Sequence, residues 1–456
     1  MEKILVVNFG GQYAHLIARR VRDLRVYAEI ATPENAVEKA LEDDVKAVIL
    51  SGGPSSVYES PSPDVPVEVF QLGKPVLGIC YGHQLIAKKL GGSVARGKGE
   101  YGRTLVKVAK DPLFDGWGEE EIVWMSHSDY VEEPPPGFEI LAVSENGYIA
   151  AMRRGHIYGV QFHPEVHHTA KGALLLENFT RKIAGVAEIW KPEDQITRIV
   201  NEIREMVKEG SVIVAVSGGV DSTVTAVLVH KAVGGRAKAV LVDHGLFREG
   251  EPEQVVALLR SLGIDVMYID ARERFLKKLE GIADCEEKRR IVGETFAQIF
   301  TEVVSGIRNV RYLAQGTLYP DVVESGAVKG ADKIKSHHNV AGLPPWFKLE
   351  LVEPLKEFYK DEVRKIAKAL GLPDDLVHRH PFPGPGLVVR IVGPFTGEKL
   401  AIVRKATKII EEELASAGVL RKVWQAFAVV GDDKWVGVKG DRRAEGYVVT
   451  VFLSLA

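Results

Sequence analysis

The sequence predicts an α/β protein: two doubly wound parallel-sheet domains followed by a small α+β module. Three observations predict it. Short apolar runs rich in β-branched residues alternate with helical patterns, as they do when helices cover a parallel sheet. Two of these runs end in glycine-bounded turns that open directly into helices, Gly78-Ile79-Cys80-Tyr81-Gly82 and Ser217-Gly218-Gly219-Val220-Asp221-Ser222. Beyond a turn dense in proline and glycine, His380-Pro381-Phe382-Pro383-Gly384-Pro385-Gly386-Leu387, the alternation gives way to one long helix and two strands. The expected domains are residues 1–189, 190–380 and 381–456.

Composition sets the bounds. A chain of 456 residues is too long for one ordinary domain. Its 46% apolar and 27% charged content is that of a globular protein in water. A net charge of −3 argues against nucleic acid or a membrane surface as a partner of the whole chain, so any phosphate binding must be local. No apolar run reaches the length of a membrane span, and Met1-Glu2-Lys3-Ile4 leads straight into a strand. Two cysteines, Cys80 and Cys285, make no disulfide framework, which predicts a reducing cytoplasm.

The first segment opens with a strand at residues 3–8, a Gly10-Gly11 turn and a helix at 13–24 that places Leu16, Ile17 and Val21 on one face. Strands follow at 27–32 and 45–50, the second ending in Ser51-Gly52-Gly53-Pro54. In such sheets ligands sit outside the carboxyl ends of the strands. The strand at 75–79 runs into Cys80, flanked by Gly78 and Gly82, the cysteine counterpart of a hydrolase nucleophile turn. A helix N-terminus favours the reactive thiolate. A small buried structural cysteine is the alternative, and the flanking glycines count against it. A general base must come from elsewhere, and a strand-like run at 156–162 leads into His163-Pro164-Glu165. Residues two apart in extended chain face the same way, so Glu165 can orient His163 while His163 takes the thiol proton. His83, His167 and His168 have no ligand spacing that joins them into a metal site.

Together with Ser51-Gly52-Gly53-Pro54 and Trp124-Met125-Ser126-His127, these motifs resemble the class I glutamine amidotransferases. The resemblance implies a nucleophile at Cys80, a base at His163 and its partner at Glu165, forming a glutamyl thioester and releasing ammonia. It implies an oxyanion hole from the Gly53 and Tyr81 backbone, and a glutamine contact at Gln84. Ser128 stands where that family usually has glycine, which affects local loop geometry. Two glycine-rich stretches are decoys. Gly97-Lys98-Gly99-Glu100-Tyr101-Gly102 precedes a strand-like segment at 105–108 rather than a helix, and the Walker-like run at 92–98 has Gly99 where Ser or Thr is required.

Trp190-Lys191-Pro192 reads as the linker, and the helix at 193–207 puts Ile196, Ile199, Val200, Ile203 and Val207 on one face. The strand at 212–216 then turns through Ser217, Gly218 and Gly219 into a helix reaching about Val233. Its glycines allow close backbone approach and its helix N-terminus attracts an anion, while Asp221 is placed to hold a magnesium ion. The loop resembles that of the ATP pyrophosphatases, which cleave ATP between the α and β phosphates. Strands are expected at 239–243, 267–270 and 311–315, the last leading into Gly316-Thr317-Leu318-Tyr319-Pro320-Asp321. The basic cluster Lys288-Arg289-Arg290 reads as a solvated helix face. Ile334-Lys335-Ser336-His337-His338-Asn339 reads as a mobile loop closing over anionic groups rather than a metal site.

The later motifs choose the acceptor. Residues 315–321, 334–339, 360–364 and 379–387, with Trp424-Gln425-Ala426-Phe427 and Val436-Gly437-Val438, closely resemble the glutamine-hydrolysing GMP synthetases. The resemblance spans nearly the whole chain. It implies that xanthosine monophosphate (XMP), ATP and glutamine give GMP, AMP, pyrophosphate and glutamate, with Mg2+ as cofactor and a homodimer as the assembly. It points to Lys335 as a phosphate clamp and to Arg290, His380 and Gln425 as XMP contacts. Departures are expected to matter locally: Gly431-Asp432-Asp433-Lys434-Trp435 replaces a Pro-Val-Arg-Ser run, and Cys285, read as structural, stands where proline is common. The family's C-terminal module continues several dozen residues past the point matching Ala456, so a shortened module is expected. Two other readings stay open: a fused amidotransferase with another acceptor, and a non-catalytic nucleotide-binding or regulatory chain.

Overall fold

The computed structural model describes residues 1–11, 13–327, 349–439 and 442–455. The chain forms two compact units, Met1–Lys191 and Pro192–Ala456. Lys335 and the rest of 334–339 lie outside the described residues.

The first unit contains β1 (Lys3–Val7), α1 (Tyr13–Asp23), β2 (Tyr27–Ala31), α2 (Ala36–Ala40), β3 (Val45–Leu50), β4 (Val76–Ile79) and α3 (Tyr81–Lys89). It continues with β5 (Ser93–Val108), β6 (Glu120–Glu133), β7 (Glu139–Ser144), β8 (Ile149–Arg154), β9 (Ile157–Val160) and α4 (Gly172–Glu177). All nine strands form one sheet in the order β2-β1-β3-β4-β9-β8-β7-β5-β6. The half from β2 to β9 is parallel, and β1, β4 and β9 are buried along their whole length, as strands covered on both faces must be. The other half is antiparallel, a refinement of the expected doubly wound sheet. The cause is connection length: the links β7–β8 and β8–β9 are too short for a crossover helix, so consecutive strands pair as hairpins. Only the end of β5 was expected as strand, because Gly97, Gly99 and Gly102 break its alternation. The strand passes through them by a bulge between Arg96 and Glu100.

The second unit contains α5 (Ile196–Met206), β10 (Ser211–Ala215), α6 (Val220–Val233), β11 (Ala237–Asp243), α7 (Glu251–Ser261), β12 (Asp265–Asp270), α8 (Arg272–Leu279) and α9 (Cys285–Ser305). Then come β13 (Val310–Ala314), α10 (Tyr319–Ala327), β14 (Glu350–Val352), α11 (Lys360–Ala369), α12 (Asp374–Val377), α13 (Gly397–Ser416), β15 (Val423–Lys439) and β16 (Arg442–Leu455). The sheet β12-β11-β10-β13-β14 is wholly parallel. Its order reverses between β10 and β13, the switch point at which such folds bind ligands. Helix α13 and the antiparallel pair β15–β16 pack into the same core: Leu387, Val388, Phe395, Leu400, Val403, Ala428 and Val430 are buried with Ile213, Val240 and Leu313. The hairpin strands are longer than expected, because the Gly431–Trp435 departure is absorbed as a register shift between Val430 and Lys434. Cys285 is exposed as the first residue of α9, not buried as a structural cysteine would be. That first helical position is the one proline favours, since its N–H has no helical partner anyway. Among the described residues no helix is long and apolar enough to cross a membrane.

Candidate active site

Four neighbouring strands of the first unit, β1, β3, β4 and β9, deliver their carboxyl-end loops to one place. Cys80 follows β4 directly, with φ 52° and ψ −103°, a conformation a non-glycine residue adopts only when its surroundings impose it. Gly78 and Gly82 make it attainable. A Cβ on Gly82 would lie 2.4 Å from the Leu50 carbonyl oxygen, and one on Gly78 would lie 2.5 Å from the Gly82 backbone. The Cys80 N–H donates to the Val160 carbonyl at 2.8 Å, locking the elbow to β9. Helix α3 therefore begins at Tyr81, directly after the nucleophile.

His163 follows β9, so the same strand pair that fixes Cys80 brings the base beside it. Its Nδ1 lies 2.7 Å from Glu165 Oε1, its N–H donates to the Trp124 carbonyl, and its carbonyl accepts from Thr169 Oγ1. Glu165 is fully buried, and its backbone carbonyl accepts from Arg20 Nε at 2.9 Å. Burial opposes charge on His163, but the neighbouring Cys80 sulfur and Glu165 carboxylate outweigh it and hold the imidazole well above its ordinary value. Gly52 lies against both groups: a Cβ there would sit 3.2 Å from His163 Cε1 and 3.7 Å from Cys80 Cβ. The backbone N–H groups of Gly53 and Tyr81 have no hydrogen-bond partner among the described residues. Gln84 is buried, and its Nε2 donates to the Asp129 carbonyl at 2.7 Å and to Gln161 Oε1 at 3.2 Å. That amide ties α3 to β6.

In the second unit the 217–222 loop follows β10 at the switch point. Gly218 has φ +82°, and Gly219 caps α6 with extended backbone and no side-chain cap. Ser222 Oγ accepts from the Ser217 N–H at 3.2 Å and donates to the Gly219 carbonyl at 3.1 Å, which holds the turn open around its N–H groups. Gly316, from the end of the adjacent β13, packs on the first turn of α6; a Cβ there would lie 3.1 Å from the Asp221 carbonyl carbon. Asp221 Oδ2 pairs with Lys360, while Oδ1 is buried without a partner among the described residues. The Gly218 carbonyl accepts from Arg379 Nη1, which also binds Glu251.

The comparisons with known proteins bear on both units. Residues 5–183 match the family model "Glutamine amidotransferase class-I", and residues 194–299 match "NAD synthase". The chain is 77% identical over 452 residues to the glutamine-hydrolysing GMP synthase of Pyrobaculum aerophilum, covering 99% of this chain and 90% of that protein. This chain belongs to the GMP synthase family. The identity is 51% over 456 residues to the Symbiobacterium thermophilum enzyme of the same name, covering 98% of this chain and 88% of the other. With the Aquifex aeolicus enzyme it is 50% over 452 residues, covering 98% and 89%.

Within this GMP synthase family chain, two of the three expected XMP contacts come together. His380 Nε2 lies 3.1 Å from the Leu420 carbonyl, and Gln425 Nε2 lies 3.4 Å from the Pro381 carbonyl. Arg290 lies on an exposed face of α9, where it is bonded to Glu294 at 3.0 Å. Sequence reasoning passed over two arginines that join His380. Arg248 donates to the His380 carbonyl at 3.1 Å and lies 4.5 Å from the Phe382 ring centre. Arg390 is only 4% exposed and has no hydrogen bond or carboxylate partner among the described residues. It rests on Phe382 and Phe427, and burial, with Arg248 nearby, pushes its guanidinium down to about 10. The available signal is position: Arg248 lies five residues past the strand at 239–243, and Arg390 lies three residues past the 379–387 run. Among the described residues no three His, Cys, Asp or Glu side chains form a metal cluster. The free Asp221 Oδ1 nonetheless suits Mg2+, which is commonly held by one or two carboxylates together with substrate phosphates.

Proposed function

We propose that this chain makes GMP from XMP, ATP and glutamine; its relatives' names give the product and the glutamine hydrolysis. The observation that carries the reading is the strained Cys80 elbow facing the His163–Glu165 pair, in one chain with a glycine loop at a sheet's switch point. Cys80 attacks the glutamine amide carbon, and the Gly53 and Tyr81 N–H groups receive the developing oxyanion. His163, held charged by Cys80 and Glu165, protonates the departing ammonia, and water then releases glutamate from the thioester. At the second site the O2 of XMP attacks the α-phosphorus of ATP and pyrophosphate leaves. Ammonia then attacks C2, and AMP departs with that oxygen.

The 217–222 loop cradles the pyrophosphate through Ser217, Gly218, Gly219, Val220 and Ser222. Asp221 would hold Mg2+, which would supply charge neutralisation on the phosphates. Arg390, a buried cation that no carboxylate hydrogen-bonds among the described residues, and Arg248 beside it favour an anionic nucleotide next to His380 and Gln425. Lys335 is the phosphate clamp, and Arg290 an outlying XMP contact. Gln84 supports the glutamine site through the Asp129 carbonyl. Functionally, residues 1–189 are the amidotransferase, 190–380 the ATP pyrophosphatase and 381–456 the substrate-binding and dimerisation module. The exposed Trp424, Val451 and Leu453 of the hairpin support a homodimer, and two free thiols support a reducing, cytoplasmic setting.

The test is the absorbance change on amination of XMP, with ATP and magnesium, fed by glutamine or by ammonium. Turnover from both is expected. Folded protein that uses neither refutes the proposal.

A further inference from the structure

Strand β6 buries Val123, Met125, His127, Asp129 and Val131 on one face, so two ionisable residues interrupt an otherwise apolar stripe. Glu100 faces His127 from β5, its direct partner in the ladder. It reaches that position because the chain bulges through Gly97-Lys98-Gly99: a Cβ on Gly99 would lie 2.6 Å from the His127 carbonyl oxygen, and one on Gly97 would lie 2.9 Å from the Tyr148 hydroxyl. The glycine run that mimics a dinucleotide motif thus serves to seat a carboxylate.

Both side chains are about 5% exposed or less. His127 Nδ1 lies 2.9 Å from the Asp129 carbonyl oxygen and Nε2 lies 3.0 Å from Glu100 Oε2. A carbonyl and a carboxylate only accept, so the ring donates from both nitrogens. Glu100 Oε1 accepts in turn from Asn146 at 2.8 Å. Burial opposes the Glu100 charge, but His127 and Asn146 hold its carboxyl below the usual value. The Asp129 carbonyl takes its second bond from Gln84, on the helix that Cys80 heads. Ser126, one residue before His127, points its carbonyl at Cys80 Sγ, 3.7 Å away. The pair therefore fixes the backbone of residues 126–129 beside the Cys80 sulfur.

A buried ion pair is a poor source of stability compared with apolar packing, and its best use is to fix geometry. We propose that Glu100 and His127 are positioning residues for the glutamine site, holding residues 126–129 against the Cys80 helix so that the amide is presented to the sulfur. The inference rests on Cys80 being the glutaminase nucleophile.

The experiment compares full-length parent, Glu100→Ala and Glu100→Gln in GMP formation fed by glutamine and by ammonium. Misplacing a wall that orients substrate should raise the glutamine KM about tenfold in Glu100→Ala, leave kcat within about twofold, and leave the ammonium-fed rate unchanged. Glu100→Gln, which keeps the shape and an acceptor, should recover most of the KM; it also keeps the inference testable if the alanine variant does not fold. Equal losses in the glutamine and ammonium arms overturn it, as do variants indistinguishable from a parent that uses both. A parent that uses ammonium but never glutamine removes the nucleophile reading and this inference with it.

Discussion

His83 makes the amidotransferase unit acid-labile below the ordinary imidazole range. It lies on α3 just behind Cys80 and is fully buried; a Cβ on Gly159 would come within 2.4 Å of its Nδ1. Neither ring nitrogen has a hydrogen-bond partner among the described residues, although the Ile149 and Gly159 backbones are near enough to favour the proton slightly. Burial, reinforced by the charge on His127, pushes the imidazole down to about 3. In the unfolded chain it titrates near about 6.5. The folded state therefore refuses a proton that the unfolded state accepts, and stability falls as pH drops below 6.5, by about 1.4 kcal/mol per unit. From pH 6.5 to 5 the loss is about 2 kcal/mol, or about 4–8 °C in the melting of a unit this size. His163 works in the opposite sense: its raised value gives stability that is fully present below about 6.5 and lost at higher pH, so it is flat in this window. Carboxyls held low, such as Glu29 and Glu121, lose their contribution only below about 4.5. Calorimetry of the first unit's transition at pH 6.5 and 5, in the parent and in His83→Gln, reads the effect. The variant should melt lower at pH 6.5 yet show little further loss at pH 5. Equal pH slopes in the two proteins would refute the reasoning, whatever their absolute stabilities.

The other predictions concern the two sites separately. Gly82→Ala drives a methyl into the Leu50 carbonyl, so glutamine-fed GMP formation should fall by more than about tenfold while ammonium-fed turnover persists; equal rates would show that the elbow tolerates a side chain. Asp221→Asn should lower both arms by about a hundredfold, and a drop confined to the glutamine arm would place Asp221 outside the ATP chemistry. Arg390→Met should stabilise the substrate-free protein by about 1 kcal/mol, because it removes a buried cation that no carboxylate hydrogen-bonds among the described residues. The same variant should raise the XMP KM; a destabilised variant with unchanged KM would contradict both halves.

Much of this was legible because the chemistry sits where strand meets helix, and those junctions are local in sequence. Cys80 between its glycines, the 217–222 loop and the His163–Glu165 spacing all follow from backbone rules that act over a few residues. The antiparallel half of the first sheet was hidden because β5 crosses Gly97, Gly99 and Gly102, and its alternation resumes only when the bulge is known. Gln84 shows a different limit. Its type and place suit a substrate contact, but its amide donates to the Asp129 carbonyl, a partner 45 residues away that no local pattern reveals. Arg390 was missed for a related reason: an arginine in sequence looks solvated, and only the tertiary fold shows it enclosed by Phe382 and Phe427.

The two sites follow one construction rule, loops at the carboxyl ends of adjacent parallel strands. Both leave buried polar atoms without partners among the described residues, Glu165 Oε2, Gln161 Nε2 and the His83 ring nitrogens at the first; they differ in charge. Around Cys80 the protein supplies its own opposing charges, Glu165 for His163 and Glu100 for His127, and the strain at φ 52° is held by hydrogen bonds to neighbouring strands. Near the 217–222 loop and the 379–390 turn, polar atoms of Asp221, Gln315, His380 and Arg390 are buried without partners among the described residues. Each such atom costs about 1–3 kcal/mol, and more if charged, unless something binds it. A site of the first kind is ready to act on a small amide that brings no charge to the reacting atoms. One of the second kind is stabilised by the nucleotides that satisfy it. Adding ATP and XMP should therefore raise the melting transition of the second unit far more than glutamine raises that of the first.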